Sequence, residues 1–162
     1  MKLVRNNQLT EKQKLQIYEL WNNEFQARIG YQDISEFDAY LAKLTDQHHI
    51  LALDENDEVK GWYFDFIREN ERWFAIILDQ SIHGKSFGTK MLDMAKSSNT
   101  VLNAWVNDLN ADLKKNGELY LSPLAFYIKN GFKVLADVRI ETDILSAVKI
   151  IWEKESPQQT KS

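Results

Sequence analysis

Between Phe74 and Leu92 an apolar run, Phe74-Ala75-Ile76-Ile77-Leu78, leads through a short loop into His83-Gly84-Lys85-Ser86-Phe87-Gly88-Thr89-Lys90-Met91-Leu92. A strand that feeds a glycine-containing turn and then a helix start points several backbone N–H groups at one spot, where they can hold a phosphate. The plain alternative is an ordinary strand-to-helix turn that happens to contain glycines. A second alternative is a nucleotide-binding P-loop, since Gly84-Lys85-Ser86 matches the end of that motif. Its first glycine would have to stand at Asp79, whose carboxylate a phosphate cradle rejects. The neighbouring elements also lack the repeated strand-helix units of such nucleotide hydrolases.

Caps and periods set the order of elements around this loop. Lys2 to Asn6 reads as a first strand. Thr10 with Gln13 forms a capping box for an amphipathic helix to about Asn23, with Leu15, Tyr18, Leu20, Trp21 and Phe25 on its buried side. Ser35 with Asp38 opens a second helix carrying Phe37, Tyr40, Leu41 and Leu44. The period then changes, and His49 to Leu53, Val59 to Ile67 and Arg72 to Leu78 read as strands, the first two joined by the polar turn Asp54 to Glu58. A helix from about Ser86 to Lys96 buries Phe87, Met91, Leu92 and Ala95, and Val101 to Val106 is a fifth strand. Ser122 caps a short helix with Pro123 at its first position and Gly131 as its left-handed stop. Phe132 to Ile140 and Ile144 to Trp152 are the last strands.

Composition narrows the class of function. At 162 residues, 44% hydrophobic and 27% charged, the chain builds an ordinary core without staples. No linker-like tract interrupts it, so one domain is expected over 1–155, with a frayed polar tail over 156–162. The N-terminus has no apolar signal core and no run approaches the length of a membrane span, which points to a cytoplasmic protein without membrane contact. With no cysteine there is no disulfide, thiol nucleophile or thiolate metal site. His48-His49 is no metal pair either, because neighbours on a strand face opposite ways. A net charge of −4 argues against nucleic acid as a partner. Lys85, Lys90 and Lys96 gather around the phosphate loop, although lysines on an amphipathic helix are usually its solvated face.

A second segment changes the weight of the first. Ser122-Pro123-Leu124-Ala125-Phe126-Tyr127-Ile128-Lys129-Asn130-Gly131-Phe132 places an aromatic-Tyr pair ahead of a basic residue and Gly-Phe. With the loop before it, this resembles the GCN5-related N-acetyltransferase (GNAT) family. In the loop, His83 stands at the family's Gln/Arg position, Ser86 at its first glycine and Gly88 at its second. The resemblance covers about Arg72 to Glu153, and the order of elements extends it to the whole chain. It implies an α/β (α+β) fold: a mixed sheet of about seven strands, splayed between the fourth and fifth, with about four helices.

The resemblance further implies acetyl-CoA as co-substrate and a small-molecule or peptide amine as acceptor, with no metal; a homodimer is left open. Backbone groups near Ile77, Leu78 and Gln80 would bond the pantetheine arm. The pyrophosphate would sit on the amides of Gly84, Lys85, Ser86, Phe87, Gly88 and Thr89, beside His83, aided by the helix dipole. A glycine-only conformation at Ser86 would be a strain. Asn107 would anchor the cofactor arm or, equally, form a turn. Tyr127 matches the family's general acid, with a core aromatic as its alternative. The acceptor pocket would draw on Phe25, Arg28 and Tyr31. No carboxylate lies on Phe74 to Leu78, so Asp65, embedded in Trp62 to Ile67, is the candidate base, with the exposed position of an alternating strand as its alternative. The long segment Asp108 to Leu121, with a turn at Asn116-Gly117, would cover the site. A domain that binds acyl-CoA without turnover is the non-enzymatic alternative.

Overall fold

A computed structural model describes residues 1–155, so the tail at 156–162 lies outside the described residues. Seven strands form one sheet: β1 (Lys2–Asn6), β2 (Thr45–Leu53), β3 (Val59–Arg68), β4 (Glu71–Leu78), β5 (Val101–Val106), β6 (Lys133–Glu141) and β7 (Ser146–Glu153). Their spatial order is β1-β2-β3-β4-β5-β7-β6. Every neighbouring pair is antiparallel except β4 and β5, which run parallel and meet only at Trp73 and Asn103. Beyond that meeting point the sheet is split, as expected of a fold splayed between its fourth and fifth strands.

Local hydrogen bonding explains most boundaries. Helix α1 (Glu11–Glu24) begins at the expected capping box, with Gln13 N–H donating to Thr10 Oγ1 at 3.1 Å and Thr10 N–H to Gln13 Oε1 at 3.0 Å. Its buried stripe is Ile17, Leu20 and Trp21; Leu15, expected there, stands about half a turn away and is 47% exposed. Helix α2 (Ile34–Ala42) starts one cap earlier than expected. Asp33 Oδ1 accepts from Glu36 N–H at 3.1 Å and from the Ser35 hydroxyl, so the aspartate takes the role assigned to Ser35. The β3–β4 hairpin turns on Glu69 and Asn70, both at positive φ, which matches the right-handed twist of the strands. The turn after β6 holds Ile144, and β7 begins only at Ser146.

The two faces of the sheet carry different helices. On one, α1 and α2 cover Leu51, Trp62, Phe64, Phe66 and Ile77 through Ile17, Trp21 and Phe37. On the other, α3 (Phe87–Ser97) and α4 (Leu124–Lys129) cover Ile50, Tyr63, Phe74, Leu102, Ala104 and Ile150. Burial of these aliphatic and aromatic side chains supplies the main driving force, at roughly 1.5–3 kcal/mol each. Pro123 is the cap of α4 rather than its first residue, and Ser122 Oγ accepts from Leu124 N–H at 3.2 Å. Gly131, at φ +89°, ends α4 as expected and lets Phe132 N–H return to Tyr127 C=O at 3.1 Å. Gly88 brings α3 against α4, because a Cβ there would stand 2.9 Å from the Phe126 ring. Among the described residues no helix is long and apolar enough to cross a membrane.

Candidate active site

The split itself leaves backbone groups without partners. Asp79 N–H donates to Lys60 C=O at 2.8 Å, one step beyond the pairing of Leu78 with Gly61. Antiparallel alternation then turns the amides of Trp73, Ala75 and Ile77 toward β3, and those of Phe74, Ile76 and Leu78 toward β5. Among the residues expected to hold an extended ligand, Leu78 therefore faces the gap, while Ile77 faces away and Ile76 takes its place. Where the gap closes, Asn103 Nδ2 donates to Arg72 C=O at 3.1 Å. Asn103 Oδ1 and Trp73 Nε1 remain buried without partners there.

Past Leu78 the chain follows the loop expected to hold a phosphate. Asp79 caps a single turn over Gln80–Ile82 by accepting from Ser81 N–H at 2.8 Å, and Ile82 is buried. Gly84 has φ +75° and Ser86 has φ +68°, ψ 11°. The serine at the family's first glycine position thus holds the left-handed conformation that glycine adopts freely, at a cost of about 1–2 kcal/mol. Helix α3 has no side-chain cap, and its first backbone bond runs from Lys90 N–H to Ser86 C=O at 3.1 Å. The N–H groups of Phe87, Gly88 and Thr89 consequently have no intrahelical partner and sit at the positive end of the helix dipole. Two expected contributors are engaged otherwise. His83 Nε2 donates to Leu78 C=O at 2.9 Å, and Gln80 N–H donates to Glu24 Oε2 at 3.1 Å. Lys96 leaves the basic group too, since it donates to Asn130 C=O at the end of α4 and covers the rings of Phe132 and Trp152.

Tyr127 projects from α4 into the core cluster on that face of the sheet. Its ring meets Phe74 at 5.9 Å, Phe132 at 5.6 Å and Phe126 at 5.2 Å, and the residue is 5% exposed. Burial, and after it the neighbouring phenol of Tyr120, push its pKa strongly upward, so it keeps its proton throughout the physiological range. Asp65 is 2% exposed rather than solvated, but its oxygens are already taken. Arg72 donates at 2.8 Å, His48 Nδ1 lies at 3.1 Å and the Tyr63 hydroxyl completes the set. Arg72 also pairs with Asp46. Asp65 is thus engaged by three neighbouring side chains of this ion-pair network.

The acceptor candidates lie on the opposite face, beside a hairpin that sequence reasoning recognised only as a long connection. Phe25 packs edge-on against Trp21 at 4.5 Å, and Tyr31 is tethered by Asn22 through both of its backbone groups. Arg28 is not free for an acceptor's carboxylate: it pairs with Asp112 at 2.7 Å and donates to Asp143 C=O at 3.0 Å. Asn107 binds the same aspartate at 2.9 Å and accepts from Leu109 N–H at 2.9 Å, so it anchors the connection rather than presenting its amide to the gap. Asp112 and Tyr120 form the base of the hairpin, where Tyr120 N–H donates to Asp112 C=O at 2.8 Å. The hairpin docks through Ala27 N–H to Leu113 C=O at 2.8 Å and through the ion pair of Lys114 with Glu24 at 3.3 Å. The Asn116-Gly117 turn between Asp112-Leu113-Lys114 and Glu118-Leu119-Tyr120 was the available signal for it.

A hollow of about 350 Å³ lies between the hairpin tip, the end of α1 and Gln80. A larger one of about 730 Å³, around Leu9, Lys14, Asp38 and Gln47, shares no residue with these elements. Among the described residues no group of three or more His, Cys, Asp or Glu could hold a metal.

Solved structures with this architecture settle the fold. An aminoglycoside 6'-N-acetyltransferase complexed with coenzyme A superposes with a TM-score of 0.72 over 97% of this chain and 99% of its own, at 13% identity. This is the GNAT acetyltransferase fold. A GNAT superfamily phosphinothricin acetyltransferase from Sinorhizobium meliloti, in complex with AcCoA, matches with a TM-score of 0.69 over 99% of this chain and 93% of its own, at 13% identity. A spermidine N-acetyltransferase variant from Vibrio cholerae matches with a TM-score of 0.64 over 94% and 95%, at 15% identity. No family model matches the sequence, and no curated protein does. At such identities the GNAT architecture is shared while the side chains of the site are this chain's own.

Proposed function

We propose that the protein is an acetyl-CoA-dependent N-acetyltransferase acting on a primary amine. The observation that carries this reading is the split between β4 and β5, with the inward amides of Ile76 and Leu78 leading to the uncapped start of α3. An extended arm can pair with the former as a strand would, and a pyrophosphate can take the N–H groups from Gly84 to Thr89. Neighbours of the same fold that carry CoA or AcCoA support that choice of ligand.

In the reaction the amine nitrogen attacks the thioester carbon, the carbon–sulfur bond breaks, the thiolate takes up a proton and the surplus amine proton leaves to water. In this reading Tyr127, whose burial keeps its phenolic proton on, donates to the departing sulfur. Asp65 has no part in this scheme. The sheet and the hairpin hold the two reactants together, which supplies much of the acceleration in direct transfer.

The test is ligand-dependent melting followed by turnover. CoA and acetyl-CoA should raise the melting temperature, since a ligand selective for the native state stabilises it by mass action, and ATP with magnesium should do far less. A larger shift with ATP would return the loop to the nucleotide binders. CoA binding without thiol release across a broad panel of primary amines would leave a non-catalytic acyl-CoA-binding domain.

A further inference from the structure

Glu24 is the last residue of α1, and its side chain is only 10% exposed. One carboxylate oxygen, Oε2, accepts from Gln80 N–H at 3.1 Å, at the start of the loop that leads from β4 into α3. The other, Oε1, pairs with the Lys114 ammonium of the hairpin at 3.3 Å. The Lys114 side chain is 12% exposed, so the pair sits largely out of water, where a charge is screened little and is costly to leave without its partner.

Among the described residues the loop over 79–86 makes no hydrogen bond or ion pair of its own with the hairpin over 112–120. The hollow of about 350 Å³ lies between Gln80 and the hairpin tip. Each element is otherwise held by its own neighbours. Asp79 N–H donates to Lys60 C=O on β3, while Ala27 N–H and the pairing of Gln26 with Lys114 hold the hairpin. One carboxylate is therefore the polar link between them.

The two ends of this link serve different ligands under the proposed function, on which this inference rests. The loop continues through Gly84 and Ser86 to the free N–H groups of α3, the side of the pyrophosphate. The hairpin stands beside Phe25 and Arg28, the side of the acceptor candidates. We propose that Glu24 is a positioning residue that couples the hairpin to the cofactor loop. With the hairpin docked, Lys114 holds the carboxylate in the geometry that meets Gln80 N–H. Release of the hairpin lets the carboxylate turn toward water, and the loop loses that anchor. Linkage makes the effect reciprocal, so a cofactor that orders the loop also tightens the hairpin.

The experiment is a double-mutant cycle read by acetyl-CoA calorimetry, with the wild type, Glu24→Gln, Lys114→Met and the double variant. Glutamine keeps an oxygen for Gln80 N–H but gives up the ion pair, and Lys114→Met removes the same pair from the hairpin side. Each single variant should weaken acetyl-CoA binding by about 2- to 10-fold, the worth of one hydrogen bond to the loop, and the double variant should be no weaker than either. Losses that add, as they would if Lys114 only attracted the cofactor phosphates, overturn the coupling and leave the proposed function standing. Unchanged affinity in either single variant does the same. Hydrogen exchange gives a second readout: acetyl-CoA should slow exchange over 113–119 in the wild type and not in Glu24→Gln. Unchanged exchange there in the wild type overturns the coupling by itself, and this measurement decides if a variant does not fold. Failure of the wild type to bind acetyl-CoA removes the proposed function together with the coupling.

Discussion

The two ends of β4 differ in what becomes of their polar groups. At the Glu71–Trp73 end, Arg72 is held by Asp65 and Asp46, and Asp65 by Tyr63 and His48 besides, so each charge is answered from within the chain. At the Leu78 end, the inward amides and the start of α3 are left over. A buried carboxylate in an apolar strand invites a catalytic reading, but its hydrogen-bond partners decide whether it has capacity to spare.

The largest expected effect breaks the satisfied end. Asp65→Ala leaves Arg72, Tyr63 and His48 without their shared acceptor and should cost about 3–5 kcal/mol in urea unfolding. Acetyl transfer by the folded fraction should persist; its abolition with stability intact would restore Asp65 to the active site. On the α4 face, Tyr127→Phe keeps the ring and deletes the donor. Turnover should fall about 10²-fold with melting temperature and CoA affinity nearly unchanged, and an unchanged rate would return Tyr127 to the core aromatics.

Acid sharpens the comparison further. His49 is buried, accepting from Trp62 Nε1 at 2.9 Å and donating to Gln47 at 2.8 Å, and burial lowers its pKa to about 4. Because the unfolded chain takes up this proton near pH 6.5 and the folded chain does not, stability is complete above that value and declines as pH falls toward 4. The loss should reach about 2–3 kcal/mol by pH 4, read as a falling urea midpoint, and His49→Phe should flatten that part of the profile. The smallest effect belongs to Ser86→Gly. Relief of the left-handed strain slightly exceeds the added backbone entropy of the unfolded chain, for a gain of about 0.5 kcal/mol with CoA affinity unchanged. Weaker CoA binding in this variant would show that the serine hydroxyl itself contacts the ligand.

Features closed within a few residues could be read in advance. The Thr10–Gln13 box, the Gly131 stop and the strand-loop-helix passage from Phe74 to Leu92 rest on bonds between residues three or four apart, or on a single φ. Ser35 was mistaken for a cap because Asp33 and Ser35 compete for the same amides, and the carboxylate is the stronger acceptor. The resemblance names Ile77 for the arm but cannot tell which alternate amides a neighbouring strand consumes; the Lys60–Asp79 pairing does.

By itself, then, the sequence determined the order of elements, the strand-loop-helix passage into α3 and the short helix that carries Tyr127, since local hydrogen bonding and hydrophobic period need no knowledge of distant residues. The tertiary structure alone decided which polar groups were spent. Arg28 came to hold Asp112, 84 residues away, Arg72 reached Asp46 and Asp65, and the hairpin that carries Tyr120 docked on α1. Those contacts depend on the relative placement of packed elements, which the burial of two separate apolar faces on one split sheet sets and which no local pattern encodes.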